Sequence, residues 1–135
     1  MSNLPIFDVA GSAMTAQSVR LSTVASNLAN ADSISGDPNA VYRAKQPVFM
    51  TQAVAGNPAL AGVQVTEVSE STAAPLKRYE PGHPLADAQG YVYAPDIDPV
   101  AQMVDLISAS RSYQANVEVF NSAKELAMAT LNMGR

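Results

Sequence analysis

Apolar residues recur at alternating steps of three and four towards the C-terminus, and this pattern predicts a long helix from Asp98 to Arg135. No proline follows Pro99. Asp98 is a good N-cap, and Pro99 suits the first helical position, where its missing N–H costs nothing. Gly134 is suited to end the helix. The spacing is kept by Met103, Leu106, Ser110, Tyr113, Val117, Phe120, Lys124, Ala127 and Leu131.

The same rhythm runs from Pro5 to Ala31 and predicts a second helix at the N-terminus. Its members are Phe7, Ala10, Met14, Gln17, Leu21, Val24, Leu28 and Ala31. Such narrow apolar stripes suit a partner helix better than a broad core. We therefore expect the two terminal helices to pack as a coiled-coil-like pair, either parallel or antiparallel.

Other apolar residues fall beside or off these two stripes. They are Ile6, Val9, Ala13, Val19, Val100, Val104, Ile107 and Met128. In a monomer they would remain partly exposed, and exposed apolar stripes mark association surfaces. The pattern therefore predicts that the chain assembles.

The middle of the chain has a different texture, with seven of the nine prolines and five of the seven glycines between residues 32 and 97. Proline interrupts helices, so this part is expected to be a small β-rich or irregular insert. The strand candidates are 42–45, 48–50, 63–68 and 91–93. The predicted fold is mainly α, divided into an N-terminal helix, an insert and a C-terminal helix at 1–31, 32–97 and 98–135.

Composition excludes several classes of protein. Twelve acidic residues against eight basic ones give a net charge of −4, which argues against nucleic-acid binding. The absence of cysteine excludes disulfides and thiolate metal sites. The first basic residue is Arg20 and Asp8 interrupts the first apolar patch, so we expect no cleaved signal peptide. The longest uncharged run, 46–66, is broken by proline and glycine and does not predict a membrane span.

Residues able to carry chemistry are few, and we predict no enzyme, cofactor or metal. The single histidine, His83, lies in a Gly-His-Pro sequence typical of a surface loop. Asp96 and Asp98 are better explained by helix capping than by paired-carboxylate chemistry. Five amides near the helices could set register between chains or simply lie on exposed surface, and both interpretations stay open. They are Asn27, Asn30, Gln114, Asn116 and Asn121.

Four blocks of the sequence resemble the bacterial flagellar basal-body rod proteins over nearly the whole chain. They occupy 7–33 (with A-S-N-L-A-N at 25–30), 42–49 (Y-R-A-K-Q-P-V-F), 90–98 (G-Y-V-Y-A-P-D-I-D) and 103–121. The short length favours a proximal rod subunit. One departure is Asp96, where the family more often has asparagine.

The resemblance implies a structural subunit of a hollow helical rod, whose wall is formed by the terminal helices and which transmits torque from motor to hook. It implies export through the flagellar type III apparatus without a cleaved leader, and a place in the basal body across the periplasm. The implied partners are copies of the chain, other proximal and distal rod proteins, and the adaptor at the export gate. Alternatives are a different axial subunit, a non-polymerising secreted coiled-coil adaptor, or a periplasmic lytic enzyme. By position, the expected interface residues are Phe7, Met14, Leu21, Val24, Leu28, Met103, Leu106, Tyr113, Val117, Phe120 and Leu131.

Overall fold

The computed structural model describes residues 5–54 and 56–134, so the ends of the predicted terminal segments (1–4 and 135) lie outside the described residues. Two long helices enclose two antiparallel strand pairs in sequence, which confirms the mainly α architecture. The elements in chain order are α1 (Pro5–Asn30), β1 (Lys45–Val54), β2 (Asn57–Glu70), β3 (Leu76–Tyr79), β4 (Tyr91–Ala94) and α2 (Pro99–Met133).

Helix α2 begins as its sequence predicts. The backbone of Asp98 is extended, and its carboxylate accepts a hydrogen bond from the Val100 N–H at 2.9 Å. Pro99 occupies the first turn. The cap satisfies one of the free N–H groups at the helix start and places acidic charge near the positive end of the helix dipole.

The two helices run antiparallel, which resolves the choice left open by the sequence. Near the start of α1, the rings of Phe7 and Phe120 meet edge to face with centroids 4.8 Å apart. Further along, the Arg20 guanidinium lies 2.7 Å from the Asp105 carboxylate. Near the end of α1, Asn27 contacts Gln102. As the residue number rises along α1, that of its partner on α2 falls.

Buried alanines lie on the faces through which the two helices meet. Ala10 lies one turn beyond Phe7 and therefore on the same face of α1. Ala109 lies two turns beyond Gln102 and therefore on the same face of α2. Phe7 and Gln102 each touch the other helix. Both are buried, Ala109 completely. Small side chains let the two helices approach closely. Of the large residues of the predicted α2 stripe, Phe120 contacts α1, whereas Met103, Tyr113 and Leu131 are exposed.

The β1–β2 hairpin lies against α1 and is longer than the sequence suggested. The candidates 48–50 and 63–68 fall inside β1 and β2, but of the candidate 42–45 only Lys45 belongs to a strand. Pro47 does not end β1, because a two-stranded ladder leaves one side of each strand unpaired and proline is tolerated there. The register shifts between Val48 and Phe49 and again near the tip.

A smaller module joins β3 and β4, and the candidate 91–93 falls within β4. The backbone of Ser35 pairs with Tyr93 on the free side of β4. Val92 and Ala94 point inward and are buried, as is Val41 from the connection after α1. This module lies between the end of α1 and the start of α2 in the chain.

Asp87 organises the loop between β3 and β4. Its carboxylate accepts hydrogen bonds from the backbone N–H of Tyr91 and of Gln89, both at 2.9 Å, and from the Tyr93 hydroxyl at 3.2 Å. The Tyr91 bond contributes most to lowering the pKa of Asp87 below 3.8. Desolvation opposes the shift, while the Gln89 and Tyr93 bonds and the charge of Lys77 reinforce it.

We expect this loop to loosen in acid. The pKa of Asp87 is lower in the folded chain than in the unfolded one, so its ionised form stabilises the fold above pH 3.8. That contribution is lost as the pH falls below 3.8 through the folded-state pKa. Amide exchange at Tyr91, relative to the intrinsic rate at each pH, should therefore become faster below this value. Asp87→Asn should flatten the dependence, whereas Asp32→Asn, at an exposed position, should keep it; equal profiles in all three proteins would contradict the assignment.

Candidate functional site

The side chain of Asn27 joins α1, β1 and α2 at one point. It is only 2% exposed. Its Nδ2 donates to the Lys45 carbonyl and its Oδ1 accepts from the Lys45 N–H, both at 2.8 Å. The amide thus bonds the first residue of β1 as a neighbouring strand would. Nδ2 also donates to Gln102 Oε1 at 3.0 Å, which ties the hairpin base to both helices.

Tyr42 completes the Asn27 junction. Its hydroxyl donates to Asn27 Oδ1 at 3.1 Å and lies 3.0 Å from the Ser26 hydroxyl. Asn27 then makes two donor and two acceptor contacts, the full capacity of a side-chain amide. Fully satisfied buried polar groups of this kind fix one arrangement of the elements around them.

The surroundings of the five amides bear on the interpretation as exposed surface, whereas a role in register between chains stays a prediction. Asn27 is buried and sets the position of elements within the chain. Asn30 and Asn116 are half-buried and donate to carbonyls one turn earlier on their own helices. Gln114 and Asn121 are exposed. Only Asn27 therefore links separate elements through its side chain.

A second contact fastens the distal half of the β1–β2 hairpin to α1. The Ser12 hydroxyl donates to the Val9 carbonyl at 2.8 Å and accepts from the Val63 N–H at 3.1 Å. Gly62 is so close that a Cβ there would lie 2.7 Å from Ser12 Oγ. The hairpin is thus held along α1 by polar contacts at both ends.

An open groove of about 280 Å³ lies between the hairpin base and the helix pair. Its lining includes Val24, Phe49 and the ion pair of Arg20 with Asp105. These two charges are partly exposed, so their attraction is screened and their contribution to stability is small. The position of Phe49 shows that this side of the hairpin faces the helices.

The structure brings together only some of the expected interface residues. Phe7 and Phe120 touch each other within the chain, and Val24 is buried. Five others are half-buried: Met14, Leu21, Leu28, Leu106 and Val117. The remaining three are exposed, with Met103 at 50%, Tyr113 at 36% and Leu131 at 69%.

The apolar residues that fall beside the two predicted stripes are partly or largely exposed, as the sequence predicts for a single chain. Val100, Val104 and Ile107 are between 54% and 68% exposed, and Met128 is 55% exposed. On α1, Ile6 is exposed while Val9, Ala13 and Val19 are half-buried. The face of α2 turned away from α1 thus carries large apolar side chains without cover from the described part of the chain.

Chemically reactive groups are sparse in the described ranges. His83 is half-buried, and its Nδ1 accepts a hydrogen bond from the Leu85 N–H at 3.0 Å within its own turn. Residues 5–54 and 56–134 hold no cluster of three or more histidine, aspartate or glutamate side chains that could bind a metal. Neither α1 nor α2 combines the length and hydropathy of a membrane-crossing helix over these residues.

Comparison with known proteins identifies the class. Residues 7–33 match the family described as "Flagella basal body rod protein", and residues 88–133 match "Flagellar basal body rod FlgEFG protein C-terminal". The chain belongs to the flagellar basal-body rod protein family, which confirms the resemblance seen in the sequence. It is a structural subunit of the basal-body rod.

Relatives that cover the chain narrow the similarity to one member of this family. The flagellar basal-body rod proteins FlgC of Escherichia coli O6:H1 and of Salmonella typhimurium are 56% and 55% identical over 135 residues, covering 100% of each chain. FlgC of Aquifex aeolicus is 43% identical over 119 residues, covering 88% of this chain and 87% of the relative. The similarity therefore includes the insert as well as the helices.

Proposed function

We propose that this chain is a proximal subunit of the rod and assembles helically with copies of itself and with other rod proteins. The terminal segments 1–31 and 98–135 would form the wall of a hollow tube as coiled-coil-like pairs, with the insert 32–97 lying against them. The supporting observation is the uncovered apolar face of α2, at Val100, Val104 and Ile107. Family membership supplies the assembly that would cover it.

In this proposal the rod crosses the periplasm and transmits torque from the motor to the hook. The subunit reaches it through the flagellar type III apparatus without losing a leader. Its neighbours are distal and proximal rod proteins and the adaptor at the export gate. The subunit works without catalysis, cofactor or nucleic acid. An antiparallel helix pair clamped at Asn27 suits a load-bearing element, because its register is fixed by satisfied buried hydrogen bonds.

The expected interface residues divide into two roles. Met103, Tyr113 and Leu131 are exposed and would touch neighbouring subunits directly. The others would hold the helix pair in the shape that presents this surface. They are Phe7, Met14, Leu21, Val24, Leu28, Leu106, Val117 and Phe120.

A charge in either helix stripe tests this function. We expect Leu28→Asp or Val117→Asp to abolish incorporation into rods, because burying an unpaired carboxylate in an apolar contact costs several kcal/mol. The measurement is swimming and rod recovery in a strain that lacks its own subunit, with immunoblots for protein amount. Gln114→Asp, at an exposed polar position on α2, is the matched control and should be tolerated. Normal swimming of both stripe variants at normal abundance would rule out the proposed wall.

A further inference from the structure

One stripe on α2 faces away from the rest of the chain. Val100, Val104, Ile107 and Arg111 follow the spacing of a single helix face, opposite the face of Ala109. All four are exposed. The stripe thus presents three branched apolar side chains followed by a cation.

The β1–β2 hairpin has an outward face of matching character. Val48 lies opposite Glu67, and Met50 lies opposite Gln64, so each pair shares one side of the sheet. Phe49, between Val48 and Met50, lines the groove against the helices, so its neighbours in β1 point the other way. Met50 is 57% exposed, and Val48 and Glu67 are exposed as well.

Each of these faces carries one charge without an opposite partner. The ion pairs of the described residues join Arg20 with Asp105, Lys45 with Glu70, and Arg78 with Glu80. Arg111 on the helix stripe and Glu67 on the hairpin face take part in none of them. The two faces are therefore complementary in two respects. Both carry exposed apolar side chains, and the cation of Arg111 on one matches the anion of Glu67 on the other.

We propose that the outward face of the hairpin of one copy docks on the α2 stripe of a second copy, with Glu67 against Arg111. Within one chain the hairpin packs on α1 while the stripe faces away from α1, so the two faces cannot meet. A contact between two different patches leaves a pair of copies with one free patch of each kind, and it generates an open helical array where the rotation between copies does not close a ring. Burial of Val48, Met50, Val104 and Ile107 supplies the attraction, and the charges fix the register. The proposal rests on the assembly of copies proposed above and names the surfaces through which it occurs.

Cross-linking between copies tests this contact directly, since the chain has no cysteine of its own. Two full-length variants with different epitope tags, Met50→Cys and Ile107→Cys, are produced together in a strain without its own subunit, and isolated basal bodies are oxidised. We expect a disulfide adduct of twice 14.1 kDa that carries both tags. Neither variant alone should give it. Met128→Cys, exposed on α2 outside the stripe, replaces Ile107→Cys as the control and should not cross-link to Met50→Cys.

Charge reversal gives a second, independent readout. Glu67→Arg or Arg111→Glu alone places like charges at every contact and should lower the amount of subunit in rods at least about tenfold. Combining both changes in one chain restores opposite charges at every contact and should restore incorporation. Rescue by the double variant is not expected if either residue acts only on folding.

The possible outcomes separate the contact from the function. If rods form normally but no adduct contains both tags, the proposed contact is wrong, while the proposed rod function is unaffected. An adduct of Met50→Cys with a mass other than that of two copies assigns the hairpin face to a different rod protein and also overturns it. Failure of the unaltered chain to enter rods at all would overturn the proposed function, and the contact with it.

Discussion

Asn27→Ala is expected to lower the free energy of unfolding by about 3 kcal/mol or more. The substitution removes all four hydrogen bonds of the buried amide. The N–H and C=O of Lys45 would then lose their partner at the hairpin base. Each buried polar group left unpaired costs about 1–3 kcal/mol, and the small cavity adds to the loss. The effect should appear in urea unfolding of the purified chain.

Asn30→Ala is the matched control for this prediction. Asn30 lies one turn further along the same helix, but its side chain bonds only the Ser26 carbonyl, so removing that side chain should cost no more than about 1 kcal/mol. Asn27→Asp should be at least as damaging as alanine, because a carboxylate cannot donate to Lys45 or Gln102. Amide exchange at Lys45 should accelerate in both Asn27 variants. An Asn27→Ala protein as stable as Asn30→Ala would contradict the junction described for α1, β1 and α2.

The sequence predicted the helices well because their signals are local. Spacing, the Asp98 cap and Pro99 are all read within one or two turns, and the described helices lie where these signals place them. The centre of the helix contact could not be predicted in the same way. A stripe drawn through Met103 and Tyr113 follows the largest apolar side chains, but both are exposed, whereas Ala109 is completely buried although its small side chain gives a weak hydrophobic signal.

The insert shows where local patterns fail. Proline and glycine correctly excluded a long helix, but Pro47, Pro58 and Gly62 also concealed the length of β1 and β2. In a two-stranded ladder such residues are tolerated, because many backbone groups face away from the partner strand. The contact of Gly62 with Ser12 joins residues 50 positions apart and has no signature in the neighbouring sequence.

The candidate assembly surface could be predicted in part. The exposure of Val100, Val104 and Ile107 follows from helix geometry once one face of α2 is assigned to α1. The role of Asn27 could not be predicted from helix geometry, because its partners Lys45 and Gln102 lie 18 and 75 residues away in the sequence. Asn27 and Asn121 are both asparagines on predicted helices, and the sequence does not show that only the first is buried.

We expect Ala109→Leu to destabilise the fold, whereas a change at Met103 should affect assembly and leave the fold nearly as stable. Ala109 is completely buried on the face of α2 that meets α1, so Ala109→Leu must push the helices apart. Overpacking of this kind costs about 1–3 kcal/mol. Ser108→Leu, at the adjacent exposed position, should change the free energy of unfolding by no more than about 0.5 kcal/mol.

Met103→Ser is expected to show the opposite behaviour. Half of this side chain is already exposed in the free chain, so its loss should change the free energy of unfolding by less than about 1 kcal/mol. If Met103 contacts a neighbouring subunit, the same change should reduce incorporation into rods. Urea unfolding of the purified variants and rod recovery from cells measure the two effects separately. A Met103→Ser chain that unfolds more easily than Ala109→Leu would contradict the assignment of Ala109 to the packed face of α2 and of Met103 to its exposed surface.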